Sequence, residues 1–164
     1  MLEVGANVGY WAAHVAKMVG PKGGVFAFEP APICLAYLNA LVQSSPCSII
    51  TVIPKGVADS SRSAVYYETE RTLSRGFGRI DDRPSNKHTV TNQESVNVTS
   101  VDDFCDEYSL ERIDLIKIDV EGAEAAVIRG MCRTLAKGLR PTLLVEMTGG
   151  DSNRAINIGI DSEL

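Results

Sequence analysis

Short apolar runs alternate along this chain with segments in which apolar residues recur at helical spacing. Leu2 to Val4 is an apolar stub that meets a Gly/Asn-rich turn, Gly5-Ala6-Asn7-Val8-Gly9. Val8, Trp11, Val15, Met18 and Val19 then follow at helical spacing, which predicts strand, tight turn and helix. The helix should stop at Gly20-Pro21-Lys22-Gly23-Gly24, because glycine caps helices and proline cannot continue them. Val25 to Phe28 is a second strand closed by Glu29-Pro30, and Leu35, Leu38, Leu41 and Val42 predict a second helix up to Ser44-Ser45-Pro46. Ser48 to Val57 reads as a third strand, with Pro54 near its end, where a lost amide donor costs least.

The rhythm breaks between residues 60 and 93, a polar Gly/Ser/Arg-rich stretch around a short strand at Ala64 to Glu68, whose expected partner is Ser95 to Thr99. This predicts a hairpin insertion over about 60–100. Residues 71 to 94 carry Arg71, Arg75, Arg79, Arg83 and Lys87 against Asp81, Asp82 and Glu94. A long loop of this kind is either a substrate lid or a solvated excursion. Alternation resumes at Asp114 to Val120, a strand, followed by one helix with Ala123, Ala126, Val127, Gly130, Met131 and Leu135 in register. Thr142 to Val145 is the last clear strand and ends in Glu146. The tail 148–164 has no assignable fold.

Strand–helix alternation predicts an α/β fold, a Rossmann-like, doubly wound, mostly parallel sheet of order 3-2-1-4-5, since parallel strands need crossovers that cover both faces. At 164 residues the chain is one domain, taken as residues 1–147. A net charge of −5 excludes a wholly basic nucleic-acid binder. With 45% hydrophobic residues, no apolar run of bilayer length and no basic leader, the reading is globular, without a membrane partner, and cytoplasmic. Cys34, Cys47, Cys105 and Cys132 form no C-x-x-C pair, and His14 and His88 belong to no ligand cluster, so no metal is expected.

In a doubly wound sheet the ligand lies outside the carboxyl ends of the strands where the order reverses. Glu3, Gly5, Asn7 and Gly9 alternate through the first such turn. Glycine lets a backbone approach a ligand, and Asn tolerates the left-handed conformation. A nicotinamide fingerprint would want glycine where Asn7 and Tyr10 stand, which disfavours an NAD-dependent oxidoreductase. Glu29 stands 20 residues beyond Gly9, the spacing of an acid that grips ribose hydroxyls, so turn and acid together point to an adenosine-bearing ligand. Strand alternation puts Lys117 and Asp119 on one face near the crevice, within the string Asp114-Leu115-Ile116-Lys117-Ile118-Asp119-Val120-Glu121-Gly122-Ala123-Glu124. Glu124 suits the positive end of the following helix.

Three stretches, Gly5-Ala6-Asn7-Val8-Gly9-Tyr10, Val25 to Pro32 and Ile113 to Glu124, together with Ile128-Arg129-Gly130, Arg140-Pro141 and Leu144-Val145-Glu146, stand in one order along the chain. In these the chain resembles the FkbM family of S-adenosyl-L-methionine-dependent methyltransferases. The resemblance implies a class I methyltransferase fold in which Gly5 and Gly9 cradle the methionine part of the cofactor, with Glu3 and Asn7 also among the cofactor-binding residues. It also places Glu29 on the ribose, Asp59 near adenine and Asp119 at the reactive end. The implied reaction is methyl transfer to a hydroxyl of a sugar, glycan or natural product. Asp119, Glu121 or His88 would serve as base, with Lys117 among the catalytic groups. Where the family shows Asp, position 3 is Glu, which lengthens the arm. The family fold also implies residues before the first strand and two further strands, so the domain is expected to be truncated at both ends. That leaves a non-catalytic adenosine-ligand binding remnant as the alternative, and makes Thr142 to Val145 an apolar edge through which a second copy would pair.

Overall fold

The computed structural model describes residues 1–20, 22–44, 49–69, 79–80 and 89–146. Five strands form one parallel sheet: β1 (Leu2–Val4), β2 (Val25–Phe28), β3 (Ile50–Ile53), β8 (Leu115–Ile118) and β9 (Thr142–Val145), in the order β3-β2-β1-β8-β9. Helices α1 (Tyr10–Val19) and α2 (Pro32–Ser44) are the first two crossovers. Four further strands, β4 (Gly56–Val57), β5 (Arg62–Thr69), β6 (Arg79–Ile80) and β7 (Val90–Thr99), form a second sheet in the order β4-β7-β5-β6. Three short helices, α3 (Val101–Glu107), α4 (Glu124–Arg129) and α5 (Cys132–Ala136), complete the described chain. The sheet order is the one the alternation predicts.

Each face of the parallel sheet buries its own apolar set, as the period of two requires. On one face Leu2, Val4, Phe28, Ile116 and Ile118 pack with Phe104, Val127 and Met131, and Phe104 meets Phe26 and Phe28 edge to face at 5.1 and 4.6 Å. On the other, Val25, Ala27 and Ile50 pack with Ala12, Val15, Ala16 and Leu38 from α1 and α2. The register sets Glu3 beside Ala27 and Lys117, so this second face turns from apolar to charged as it passes from β2 to β8. A third apolar cluster, with Ala31, Cys34, Ala58, Ala64, Tyr66, Val96 and Val98, lies under the second sheet.

Four expectations need correction. The run Ser48 to Val57 is not one strand: after Pro54 the chain leaves the first sheet, and β4 pairs with β7 in the second. The hairpin expected of Ala64 to Glu68 with Ser95 to Thr99 is longer, since β5 and β7 pair from Arg62↔Val98 to Thr69↔Val90. The single helix after Glu121 is two, α4 and α5, divided at Gly130, which packs so closely that a Cβ there would lie 2.3 Å from the Ala58 carbonyl oxygen. The start of α5 is held instead by buried Asp102, which accepts from the amides of Arg133 and Thr134 and from the Thr134 hydroxyl at 3.0, 2.7 and 2.7 Å. Finally, α1 buries Ala12, Val15 and Ala16, while Val8, Trp11, Met18 and Val19 are exposed. The small alanines let α1 approach the sheet, and the larger apolar residues point away.

β9 lies at the edge of the described sheet, with Leu143 and Leu144 exposed, as expected of Thr142 to Val145. Much of the basic loop and all of the tail 148–164 lie outside the described residues, as does His88. Among the described residues no helix is long and apolar enough to cross a membrane, and no His/Cys/Asp/Glu cluster has the make-up of a metal site.

Candidate active site

The strand order reverses between β1 and β8, and there the carboxyl ends of the strands open into a cleft with about 610 Å³ of empty space continuous with solvent. Gly5, Asn7, Glu29, Asp119 and Glu121 line it, together with Tyr66 from the second sheet. Five of the residues singled out in the sequence are thus brought to one place. Tyr66, Gly56, Val57 and Ile80 line it too and were missed. The only sequence signal for them was the alternation of Ala64 and Tyr66, which suggested a hairpin but not where it would dock.

The turn after β1 is shaped by three left-handed residues, Gly5, Asn7 and Gly9, with φ of 82°, 52° and 87°. At Gly5 a Cβ would lie 1.9 Å from the Asp119 carbonyl oxygen, and at Gly9 it would lie 2.5 Å from Leu38. The glycines are therefore demanded by the packing of the turn against β8 and α2. Gly5 lines the cleft, whereas Gly9 is buried against α2. Asn7 supplies the remaining left-handed conformation, as its residue type allows.

Glu29 closes the turn from the β2 side. It is 6% exposed, and its two oxygens accept from the Asn7 and Ala31 amides, each at 2.8 Å. Burial raises its pKa and the two amide bonds oppose that rise. Glu3 differs. At 1% exposure it is more deeply buried, and its Oε2 atom has no hydrogen-bond partner among the described residues. Burial pushes its carboxyl up to about 7, against the pull of Lys117 and with the help of Asp119 and Glu29. An unpaired buried oxygen is costly, and this one belongs to the strand that leads into the turn.

Across the reversal, Lys117 is buried and donates to Asp119 Oδ2 at 2.8 Å, as their shared strand face predicts. Its ammonium lies 5.9 Å from the Trp11 ring centroid. Lys117 does not line the cleft; it sits behind Asp119. Glu121 has φ 54° and reaches the cleft wall. Glu124 accepts from the Gly122 amide at 3.0 Å, the local role expected at that helix start. Asp59 departs from expectation: it is exposed, bonds its neighbour Ser60 at 3.3 Å, and stands outside the lining residues. His14 is exposed on α1, bonded to the Tyr10 carbonyl at 2.8 Å and away from the cleft.

This geometry meets known proteins at one family. The sequence profile of the Methyltransferase FkbM domain matches residues 3–157. The chain is 30% identical over 161 residues to Methyltransferase sdnD of Sordaria araneosa, covering 80% of this chain and 60% of that one. It is 28% identical over 162 residues to 2-O-methyltransferase NoeI of Sinorhizobium fredii, with 84% and 59% covered. It thus spans less than two thirds of the length of these relatives. A crystal structure of Methyltransferase FkbM from Methylobacillus flagellatus superposes with a TM-score of 0.56 at 21% identity, over 88% of this chain and 32% of that one, a likeness of fold. With residues 3–157, nearly the whole chain, matched by this profile, the chain belongs to the FkbM methyltransferase domain family.

Proposed function

We propose that this chain binds S-adenosyl-L-methionine in the cleft and takes part in methylating a hydroxyl of a sugar, glycan or other small-molecule acceptor. The observation that carries the reading is the pair of buried glutamates, Glu3 within β1 and Glu29 just after β2, the first of which has an oxygen without a hydrogen-bond partner among the described residues. Glu3, Gly5 and Asn7, with Gly9 fixing the turn, would hold the methionine end. Glu29 keeps lone pairs beyond those used by the two amides, and would take the ribose hydroxyls. The Pro30, Val57 and Tyr66 wall would flank adenine. Asp59 would reach the adenine edge only if its exposed side chain turned inward.

When bound, the cofactor supplies a sulfonium methyl group that leaves a neutral thioether behind. The chain's own share of the work is alignment and proton management. Asp119, held by Lys117, and Glu121 both line the cleft and would be the carboxylates that face an acceptor. One relative, the 2-O-methyltransferase NoeI, acts at oxygen, which supports an oxygen acceptor.

Calorimetry with S-adenosylhomocysteine tests the reading. Micromolar binding is expected, weakened by about 2 to 3 kcal/mol, or roughly 30- to 150-fold, in Glu29→Ala. Glu29→Gln, which keeps an oxygen for one of the two amides, should fall between. Absence of binding by the folded wild-type chain would overturn the proposal.

A further inference from the structure

The end of β9 brings a second carboxylate to the site. The parallel register pairs Lys117 with Leu144 and Ile118 with Val145, and the Glu146 amide donates to the Ile118 carbonyl at 2.9 Å. Glu146 therefore stands beside Asp119 at the next register position, on the same face of the sheet, close enough for the two carboxyls to influence each other. On the opposite flank, the Asp119 amide donates to the Val4 carbonyl at 3.0 Å, which fixes Asp119 between β1 and β9. Asp119 lines the cleft while Glu146 is exposed to solvent. One carboxylate thus faces the cleft and the other faces water. The orphaned, fully buried oxygen of Glu3 lies across the strand pairing from Lys117, so the charged row is built on a face that also carries an unsatisfied group.

We propose that Asp119 and Glu146, set side by side by the β8–β9 register, act as one base that shares the acceptor hydroxyl's proton between their carboxyls, with Lys117 as the residue that positions Asp119. This rests on the methyltransferase reading above. The acceptor O–H bond breaks, its proton goes to the carboxylate pair, and the electron pair stays on the oxygen that is methylated. Exposed Glu146 then returns the proton to solvent. Two adjacent carboxylates repel when both are ionised, so a proton arriving between them is held more strongly than by either alone. The contact with Asp119 raises the pKa of Glu146, Glu124 adds to the rise, and Lys117 opposes it. Glu146 thus ionises above its ordinary value, and the reaction should quicken as pH rises through that point.

The test follows the side-chain carboxyl carbons of Asp119 and Glu146 by NMR across pH, in the full chain with and without S-adenosylhomocysteine. Methyl transfer to methyl glucopyranoside and to its uronic acid is measured in parallel. Linked titration is expected, with Asp119→Asn returning Glu146 to the ordinary range. Glu146→Gln should keep S-adenosylhomocysteine affinity within about twofold while kcat falls at least about tenfold and the acidic limb of the rate profile moves to lower pH. Independent titration of the two carboxyls overturns the proposal, as does a Glu146→Gln variant with unchanged rate and pH limb. A wild-type chain that binds no S-adenosylhomocysteine and methylates neither glycoside instead sinks the methyltransferase reading, and the base falls with it. Binding with independent titration sinks the base alone.

Discussion

The two halves of the crevice treat their acids in opposite ways. At the β1–β2 end, Glu3 and Glu29 are buried at 1% and 6% exposure, and what decides their behaviour is the supply of donors: Glu29 has two backbone amides, while one oxygen of Glu3 has none. At the β8–β9 end, Asp119 and Glu146 are reached by water and are governed by each other and by Lys117. A carboxylate removed from water and aimed by backbone amides suits recognition of fixed donors, because its orientation is set before a ligand arrives. A pair left at the water boundary suits proton exchange. On the proposed reading, one fold would separate holding from proton transfer by burial and by the supply of donors.

The junction of the halves is Gly5, and breaking it should give the largest effect. Gly5→Ala must place a Cβ 1.9 Å from the Asp119 carbonyl oxygen at φ 82°. Left-handed strain and overpacking together should cost more than about 3 kcal/mol, read as a lower urea midpoint, and should abolish S-adenosylhomocysteine binding by displacing both halves. An unchanged midpoint would mean that the turn and β8 are not in contact.

Glu3 sharpens the comparison from the buried side. Its carboxyl titrates near 4.5 when unfolded and at about 7 when folded, so the folded chain retains a proton that the unfolded chain releases. Stability is then full below pH 4.5 and is lost as pH rises through about 7, by about 3 kcal/mol in all. Glu3→Gln should remove that slope, measured as urea midpoints at pH 5 and pH 8. A wild-type chain equally stable at both would show that water or another group reaches Glu3.

How much of this was legible depended on whether the signal was local. The parallel sheet was, because each strand is a short apolar run followed by a helical period. So was the Lys117–Asp119 pair, since alternation alone puts the two on one face. The second sheet was not: β4 is only Gly56 and Val57, and the outer end of β7, Val90 to Glu94, is polar and largely exposed. Nothing in such text says that Tyr66 will line a ligand cleft. Glu146 was visible as the residue ending the last strand, yet its place beside Asp119 depends on a register that only the assembled sheet fixes. Gly9 illustrates the reverse problem: read as a ligand-approach residue, it is required by Leu38.

A control away from both halves should move stability and leave the site alone. Asp102→Ala would strip the cap from α5 and leave the Arg133 and Thr134 amides without their acceptor. A loss of about 1 to 2 kcal/mol is expected, with S-adenosylhomocysteine affinity unchanged. A matching loss of affinity would tie the α3–α5 layer to the crevice.

The smallest effect belongs to Trp11, the residue that reaches from the first turn of α1 towards Lys117, and it decides between two accounts of the same side chain. Helical periodicity assigned Trp11 to the apolar stripe of α1, and truncating a core tryptophan costs about 3 to 5 kcal/mol. In the structure it is 45% exposed and the Lys117 ammonium lies 5.9 Å from its ring centroid, an interaction of about 0.5 to 1 kcal/mol at an exposed site. Trp11→Leu keeps apolar bulk and removes the ring, so the urea midpoint should fall only by that smaller amount. Since Trp11 is the only tryptophan of the chain, its emission in the wild type can be followed directly. It should shift when Lys117→Met removes the cation, and hold steady in Asp102→Ala. A core-sized loss in Trp11→Leu would restore the periodic reading and place the ring inside, away from Lys117. The small loss would show that α1 meets the sheet through its alanines and leaves the ring free to stand beside the cation that holds Asp119.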